Sequence, residues 1–244
     1  MCIRDSVKGA LSLVGLAFAT VVIVYFMLPS LASGRPGIWV GVVGSCAIML
    51  IVIHVAHGIS MRTASALLGT VCGLGLSALL GAIAVKSAHI SGYIDETSFD
   101  LSAAIPHLNM SQLFVAATIL AGLGVLNDVA ITQASAVWEL RLAAPTYTRR
   151  EIYQSAMRIG RDHIASTIYT IVFAYTGAAL STVMLIVLFF ERSLSDLFTT
   201  EALAAQALQI LASGSALIAS VPITTAIATL AVRKPTGPVN EIRD

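Results

Sequence analysis

The chain is predicted to be all-α, a polytopic bundle of transmembrane helices, and three observations carry that prediction. Hydrophobic residues make up 57% of its 244 positions and charged residues 11%, far from the balance of a water-soluble domain. The apolar residues come in blocks of about 20, enough to cross a hydrocarbon core of about 30 Å at about 1.5 Å per residue. Within the blocks they are continuous rather than alternating, which excludes a β-barrel and leaves helices, whose backbone bonds close within each span.

Six spans are expected, at about 9–28, 38–56, 64–86, 112–138, 162–190 and 203–232, making 7–232 one transmembrane domain followed by a cytoplasmic tail, 233–244. Residues 1–6, Met1-Cys2-Ile3-Arg4-Asp5-Ser6, read like a translated sequencing adaptor and are expected to be non-native. The second span carries Gly37, Gly41 and Ser45, and the third repeats that spacing at greater length with Ser65, Gly69, Gly73, Ser77 and Gly81. Small residues every four positions leave one helix face nearly bare, so another backbone can approach it, from this chain or from a second copy.

The fourth span contains Asp128, with Asn127 before it, inside the apolar segment Leu113 to Trp138. A carboxylate at bilayer depth costs roughly 2.5 to 3.5 kcal/mol on insertion scales, so it faces a protein interior, a partner or a water-filled path. At 100° per residue Ala121, Gly124, Asp128, Thr132, Ser135 and Glu139 share a narrow arc, a polar seam running from mid-membrane toward one surface. Two readings stay open: a cation or proton site at Asp128 tuned by Asn127, Thr132 or a partner helix, and a buried carboxylate hydrogen-bonded between helices to fix packing.

The last two spans are long, and some 30 residues of straight helix reach about 45 Å. They are expected to tilt, project or break, the fifth at Gly177 and the sixth at Gly214 and Pro222. Before the fifth, Pro145 stops a helix and Thr148-x-x-Glu151 has capping-box spacing, so a cytoplasmic surface helix is predicted from Arg149. Ile152, Ala156 and Ile159 fall on one side of it, and Arg150, Gln154 and Arg158 elsewhere. Asp162 is placed to cap the following span or to pair with Arg158 or Arg161. Together Arg158, Arg161 and Asp162 form either a headgroup contact or a gate on the Asp128 seam. Ser166, Thr167, Thr170, Tyr175 and Thr176 of the fifth span, and Thr224 and Thr225 of the sixth, bond carbonyls of their own helices or line an ion or substrate site.

Charge placement gives the orientation. The loop with Arg141, Arg149, Arg150, Arg158 and Arg161 is the most basic and is expected in the cytoplasm. Alternation puts Lys8, Arg62, Arg233, Lys234 and Arg243 on that side, leaving Arg35, Lys86 and Arg192, with the acidic Asp95, Glu96 and Asp100, on the other. Both termini are then cytoplasmic.

No cofactor is implied. His54 and His57 share a face at i, i+3 without a carboxylate nearby, and Cys46 and Cys72 lie within spans as small apolar residues, so no metal site is expected. The basic loop is too short and too poor in aromatics for nucleic acid. An intramembrane aspartyl protease needs a second membrane aspartate and a Gly-x-Gly-Asp turn, whereas three residues separate Gly124 from Asp128, so no enzyme is expected and no residue is taken as catalytic.

The ordered segments His57-Gly58, Gly124-Val-Leu-Asn-Asp128-Val-Ala, Ser155-Ala-Met-Arg-Ile-Gly160-Arg161-Asp162 and Pro222-Ile-Thr-Thr225 resemble those of the YibE/F-like family of bacterial multipass membrane proteins, over Val7 to Val232. Asp128, Gly160, Arg161, Asp162, Pro222, Thr224 and Thr225 match that pattern, while Asn127 and His163 depart from it. The resemblance implies a protein of the bacterial cell membrane, with a further span and an extracytoplasmic domain upstream in members of this kind, so that this chain would be an N-terminally truncated member. It implies no reaction. The expected function is a transporter or permease with Asp128, Asn127, Thr132, Ser135, Thr224 and Thr225 as its ion or substrate site. The alternative is a membrane scaffold packed through its small-residue faces. The partners expected are the lipid bilayer and a second copy or another membrane protein.

Overall fold

The computed structural model describes residues 2–189 and 200–233. Arg192, Lys234, Arg243, the last residue of the expected fifth span and nearly all of the expected tail lie outside them. Helix α1 (Cys2–Val22) passes through a π-helical turn (Ile23–Met27) into α2 (Leu28–Ala32), followed by α3 (Gly37–His57) and α4 (Met61–Ala88). A short α5 (Glu96–Ala104) precedes α6 (Met110–Ala143); α7 (Arg149–Ala178), α8 (Leu180–Met184) with a second π-helical turn (Leu185–Phe189), and α9 (Glu201–Ala231) complete the fold. There is no strand among the described residues.

Side chains at the chain's own turns set the helix boundaries. The Ser60 hydroxyl accepts the Thr63 amide at 3.1 Å to start α4, and Asn109 Oδ1 accepts the Gln112 amide at 3.0 Å to start α6. Thr148 and Glu151 form the expected capping box: Glu151 Oε2 accepts the Thr148 amide at 2.7 Å, and Thr148 Oγ1 accepts the Glu151 amide at 3.3 Å. Gly58, at φ 75°, closes α3 in a conformation that side chains with a Cβ rarely adopt.

Five of the described helices are long and apolar enough to cross a membrane: Ala10–Ala32, Gly37–His57, Met61–Ala88, Met110–Ala143 and Glu201–Ala231. The expected fifth span differs from this set. The predicted surface helix and that span form a single helix, α7, because no residue between Arg149 and Ala178 interrupts the backbone ladder. Its first fourteen residues include six charged ones, which keeps it below the apolarity of the others. It ends one residue beyond Gly177, close to the predicted break. The sixth span does not break, for α9 runs through Gly214 and Pro222 as one helix. Proline removes a single donor, and in a membrane helix the freed carbonyl is tolerated when neighbouring groups and helices enclose the site.

Helices α4, α6 and α9 form the centre of the bundle; α3 packs on α6 and α4, α1 on α3, and α7 on α9 and α6. At one end the Gly37 amide donates to Gln112 Oε1 at 2.8 Å, the Ser111 hydroxyl to the Ile90 carbonyl at 2.9 Å, and the Ser91 amide to Glu201 Oε1 at 2.7 Å. These bonds tie the starts of α3, α6 and α9 to the end of α4. The opposite end gathers Arg62, Arg141, Arg149, Arg150 and Arg233, whereas the first end holds Asp95, Glu96, Asp100 and Glu201 with Arg35 and Lys86.

The small-residue stripe of α4 is consumed inside the chain. A Cβ on Gly69 would overlap Thr224 of α9, and one on Gly73 would lie 2.8 Å from Leu126 Cδ2 of α6 and 3.3 Å from Ser220 Cβ of α9. A Cβ on Gly122 of α6 would meet the hydroxyls of Ser77 at 3.4 Å and Ser213 at 3.5 Å. On α3, Gly41 packs against Ile119 in the same manner. Lipid tails are as apolar as leucine, so this interlocking of bare backbone with small side chains is what holds the helices together.

Two outcomes follow from this packing. Gly69→Ala is expected to lower unfolding stability in detergent by about 1 to 3 kcal/mol. Thr224→Ala should recover part of that loss when combined with it, and strictly additive effects of the two would show that the contact is absent. At the start of α7, the Thr148 amide and then its hydroxyl hold the Glu151 carboxylate below its usual range. A depressed carboxylate stabilises the fold above its unfolded pKa, and that contribution is lost as pH falls through the folded value. Amide protection in the first turn of α7, corrected for intrinsic exchange, is therefore expected to fall on acidification through the carboxylate range; Thr148→Ala, which removes the hydroxyl and keeps the amide, should weaken that dependence, and Glu151→Gln should abolish it.

Candidate functional site

Helix α6 carries two polar faces, and they point in different directions. Its inward stripe runs Gly122, Leu126, Val129, Gln133, Val137 and Arg141, all buried. Gln133 is 2% exposed, and its Nε2 donates to the Thr225 hydroxyl of α9 at 2.7 Å and to the Ala156 carbonyl of α7 at 2.9 Å. Thr225 Oγ1 passes a bond to the Val221 carbonyl at 2.6 Å, and Thr229 Oγ1 bonds the Thr225 carbonyl at 2.7 Å. Gly160 of α7 sits against this junction, where an added Cβ would lie 2.7 Å from Val221 and 2.9 Å from Gln133 Oε1. One amide side chain thus joins three helices.

Asp128 lies about 140° around α6 from Gln133 at 100° per residue and turns away from the packed centre. Its side chain is 68% exposed and 31% exposed His163 faces it from α7, Nε2 to Oδ2 being 3.9 Å. The two side chains are thus within ion-pair distance of each other. Ala121, Gly124 and Glu139 are exposed, and Thr132 and Ser135 half-buried, so the arc read from the sequence exists as a face of α6 but looks outward. Asn127 is half-buried, its Oδ1 shielded and without a hydrogen-bond partner.

The structure therefore corrects the composition of the expected site. Thr224 and Thr225 do not join Asp128; both are fully buried, Thr225 on Gln133 and Thr224 against Gly69. Nor does Asp128 act as a buried clamp between helices, since Gln133 has that place. Asp162 lies in the interior of α7, so it caps no helix, and among the described residues no arginine lies within ion-pair distance of it. Arg158 and Arg161 are exposed and line a separate cavity of about 560 Å³ with Tyr147, Glu151 and Gln154, Arg158 donating to the Ser155 hydroxyl at 3.1 Å. The residue of α7 that reaches Asp128 is His163.

Gln133 is not singled out by the sequence, and His163 and Arg141 stand out there only as a departure from the family pattern and as one arginine of a basic loop. Gln133 interrupts an otherwise apolar stripe at helical spacing, which was the available signal for it. Arg141 is 2% exposed, and its Nη1 donates to the Tyr147 carbonyl at 2.7 Å. His54 Nδ1 lies 2.6 Å from the Leu50 carbonyl of its own helix. Among the described residues no three His, Cys, Asp or Glu side chains converge as metal ligands would.

A bundle of membrane-length helices around a small-residue centre, with a carboxylate halfway along its longest member, defines the class: a polytopic α-helical membrane protein. A family model described as YibE/F-like protein matches residues 1–234, and the chain belongs to that family. No curated protein and no solved structure matches it significantly.

The two faces of α6 should separate in their effect on stability. Gln133→Ala leaves a cavity and removes two interhelical bonds, so it is expected to cost about 1 to 3 kcal/mol. Asp128→Asn, with no packing role, should change stability by less than about 0.5 kcal/mol. Detergent unfolding of both variants decides the matter, and the reverse ranking would show that Asp128 is the structural residue.

Proposed function

We propose that the chain is a permease of the bacterial cell membrane in which Asp128 and His163 form a cation or proton site. The observation behind this reading is the position of Asp128, halfway along α6, open in the single chain and 3.9 Å from a titratable ring. A carboxylate held only for packing would be enclosed and hydrogen-bonded, because at that depth it otherwise costs roughly 2.5 to 3.5 kcal/mol. With His163 neutral, the carboxylate offers an anionic ligand to a cation. With the imidazole protonated the pair is self-neutralised, so cation and proton compete for one place. Asn127, Thr132 and Ser135 flank the carboxylate on the same helix and supply polar lining. The basic end of the bundle is taken to face the cytoplasm, with both ends of the chain on that side.

The scaffold alternative loses the feature that motivated it, since the stripe of α4 is covered by α6 and α9. What favours it is the outer face of α7, where Tyr169 and Phe173 are 63% and 71% exposed. Association through that face would leave a second copy or another membrane protein beside Asp128.

Proteoliposome flux separates the readings. With the chain reconstituted and protons and monovalent and divalent cations tried in turn, Asp128→Asn and His163→Gln are each expected to lower the flux of one ion at least about tenfold, a change of about 1.4 kcal/mol in barrier. Background flux for every ion with the unaltered chain would sink the permease reading. Co-purification of a partner lost on Phe173→Ser would then support the scaffold.

A further inference from the structure

We infer that the basic end of the bundle holds a binding site for a phosphate group, built from Arg141, Arg149 and Arg233. These three, with Thr148 and Val232, line a cavity of about 510 Å³ where the ends of α6 and α9 meet the start of α7. No acidic side chain lines it, and none of the three arginines has a carboxylate within ion-pair distance among the described residues.

Arg141 is the central element. It is 2% exposed, so its guanidinium has been taken out of water, yet only Nη1 is satisfied by the protein, through the Tyr147 carbonyl. Its Nε–H is buried and has no acceptor among the described residues. A buried cation without a counter-ion is strongly unfavourable, and an unpaired buried donor adds to that penalty. An anion in the cavity removes both costs, and a guanidinium presents the planar fork that phosphate oxygens accept.

The surroundings do not neutralise this charge. Arg141 lies in the last turn of α6 and Arg233 just beyond α9, where each helix end contributes about half a negative charge. The start of α7 works the other way, with about half a positive charge and the free amides of Arg149 and Arg150. Glu151 is the nearest acidic group of that turn, and its Oε2 is taken by the amide and hydroxyl of Thr148 at 2.7 and 2.8 Å. Counting all of these leaves about one and a half positive charges, which fits a phosphate monoanion or dianion. Arg149 in the first turn of a helix is misplaced with respect to the dipole unless an anion stands there.

Two sources offer this chemistry at a membrane surface: the headgroup of an anionic phospholipid and a free phosphate. The full chain would be placed in nanodiscs of phosphatidylcholine alone or with phosphatidylglycerol, retained lipid read by native mass spectrometry and inorganic phosphate binding by calorimetry. Arg149→Gln/Arg233→Gln is expected to lower binding about tenfold or more. Arg35→Gln/Arg62→Gln, which removes equal charge outside the cavity, should leave it unchanged. Arg141 is kept because it also holds the Tyr147 carbonyl. Selective retention of phosphatidylglycerol lost in the first double variant assigns a lipid headgroup; saturable phosphate binding in phosphatidylcholine alone, lost in the same variant, assigns a free phosphate. No binding of either probe, or equal losses in both double variants, overturns the site.

Discussion

The contact between α4 and α9 at Gly69 and Gly73 is the constraint on which the other placements depend. A β-carbon on Gly69 would overlap Thr224, and one on Gly73 would press on Leu126 of α6 and crowd Ser220 of α9. In water such a contact would be one of many behind a hydrophobic core, but between lipid-embedded helices close packing is the principal attraction. With α4 and α9 locked at this distance, α6 settles into the groove they make, with Gly122 and Leu126 toward α4. Its rotation is then fixed, so Gln133 faces α9 and α7 while Asp128, on the other side, has no place inside. The outward position of the carboxylate is a consequence of glycine packing elsewhere.

That dependence explains which parts of the structure were legible in the sequence. Continuous apolar blocks report their own length, so the helical class and five of the spans could be read directly. The four-residue spacing of Ser65, Gly69, Gly73, Ser77 and Gly81 is a helical period, so one bare face was visible, though only the fold shows that α6 and α9 cover it. The start of α7 was legible because a capping box is a local device of four residues. Its continuity was not, since the shift from charged to apolar residues near Asp162 marks where the surroundings change and does not interrupt a helix. Pro222 misled for a related reason: the cost of proline depends on what encloses the freed carbonyl.

The candidate site was half legible. The unusual residue type, Asp128, could be identified, and the arc it shares with Thr132 and Ser135 is real. Its direction required knowing which of two polar faces packs, and charge drew attention away from the uncharged Gln133. Pairing across helices was out of reach: His163 meets Asp128 only because the Gln133 junction and Gly160 draw α7 against α6 and α9. The same docking brings Arg149 beside Arg141 and Arg233, so one amide side chain organises both the carboxylate at mid-helix and the arginine cluster at the end.

One feature of the central packing is not explained by packing. Thr70, Thr118, Thr225 and Thr229 return their hydroxyls to carbonyls four residues earlier, as hydroxyls in membrane helices ordinarily do. Ser77, Ser213, Ser220 and Thr224 do not; all four are buried, and their hydroxyls have no partner among the described residues. Alanine and valine would fill the same volumes without leaving a polar atom unpaired, at a saving of about 1 kcal/mol or more for each. Hydroxyls at these positions therefore give the α4–α9 seam a polar lining that the closed arrangement does not use. On the scaffold reading that lining is a cost without a return. The lining lies on the side of α6 opposite Asp128, in a contact made of glycine backbone and short side chains that is held through shape.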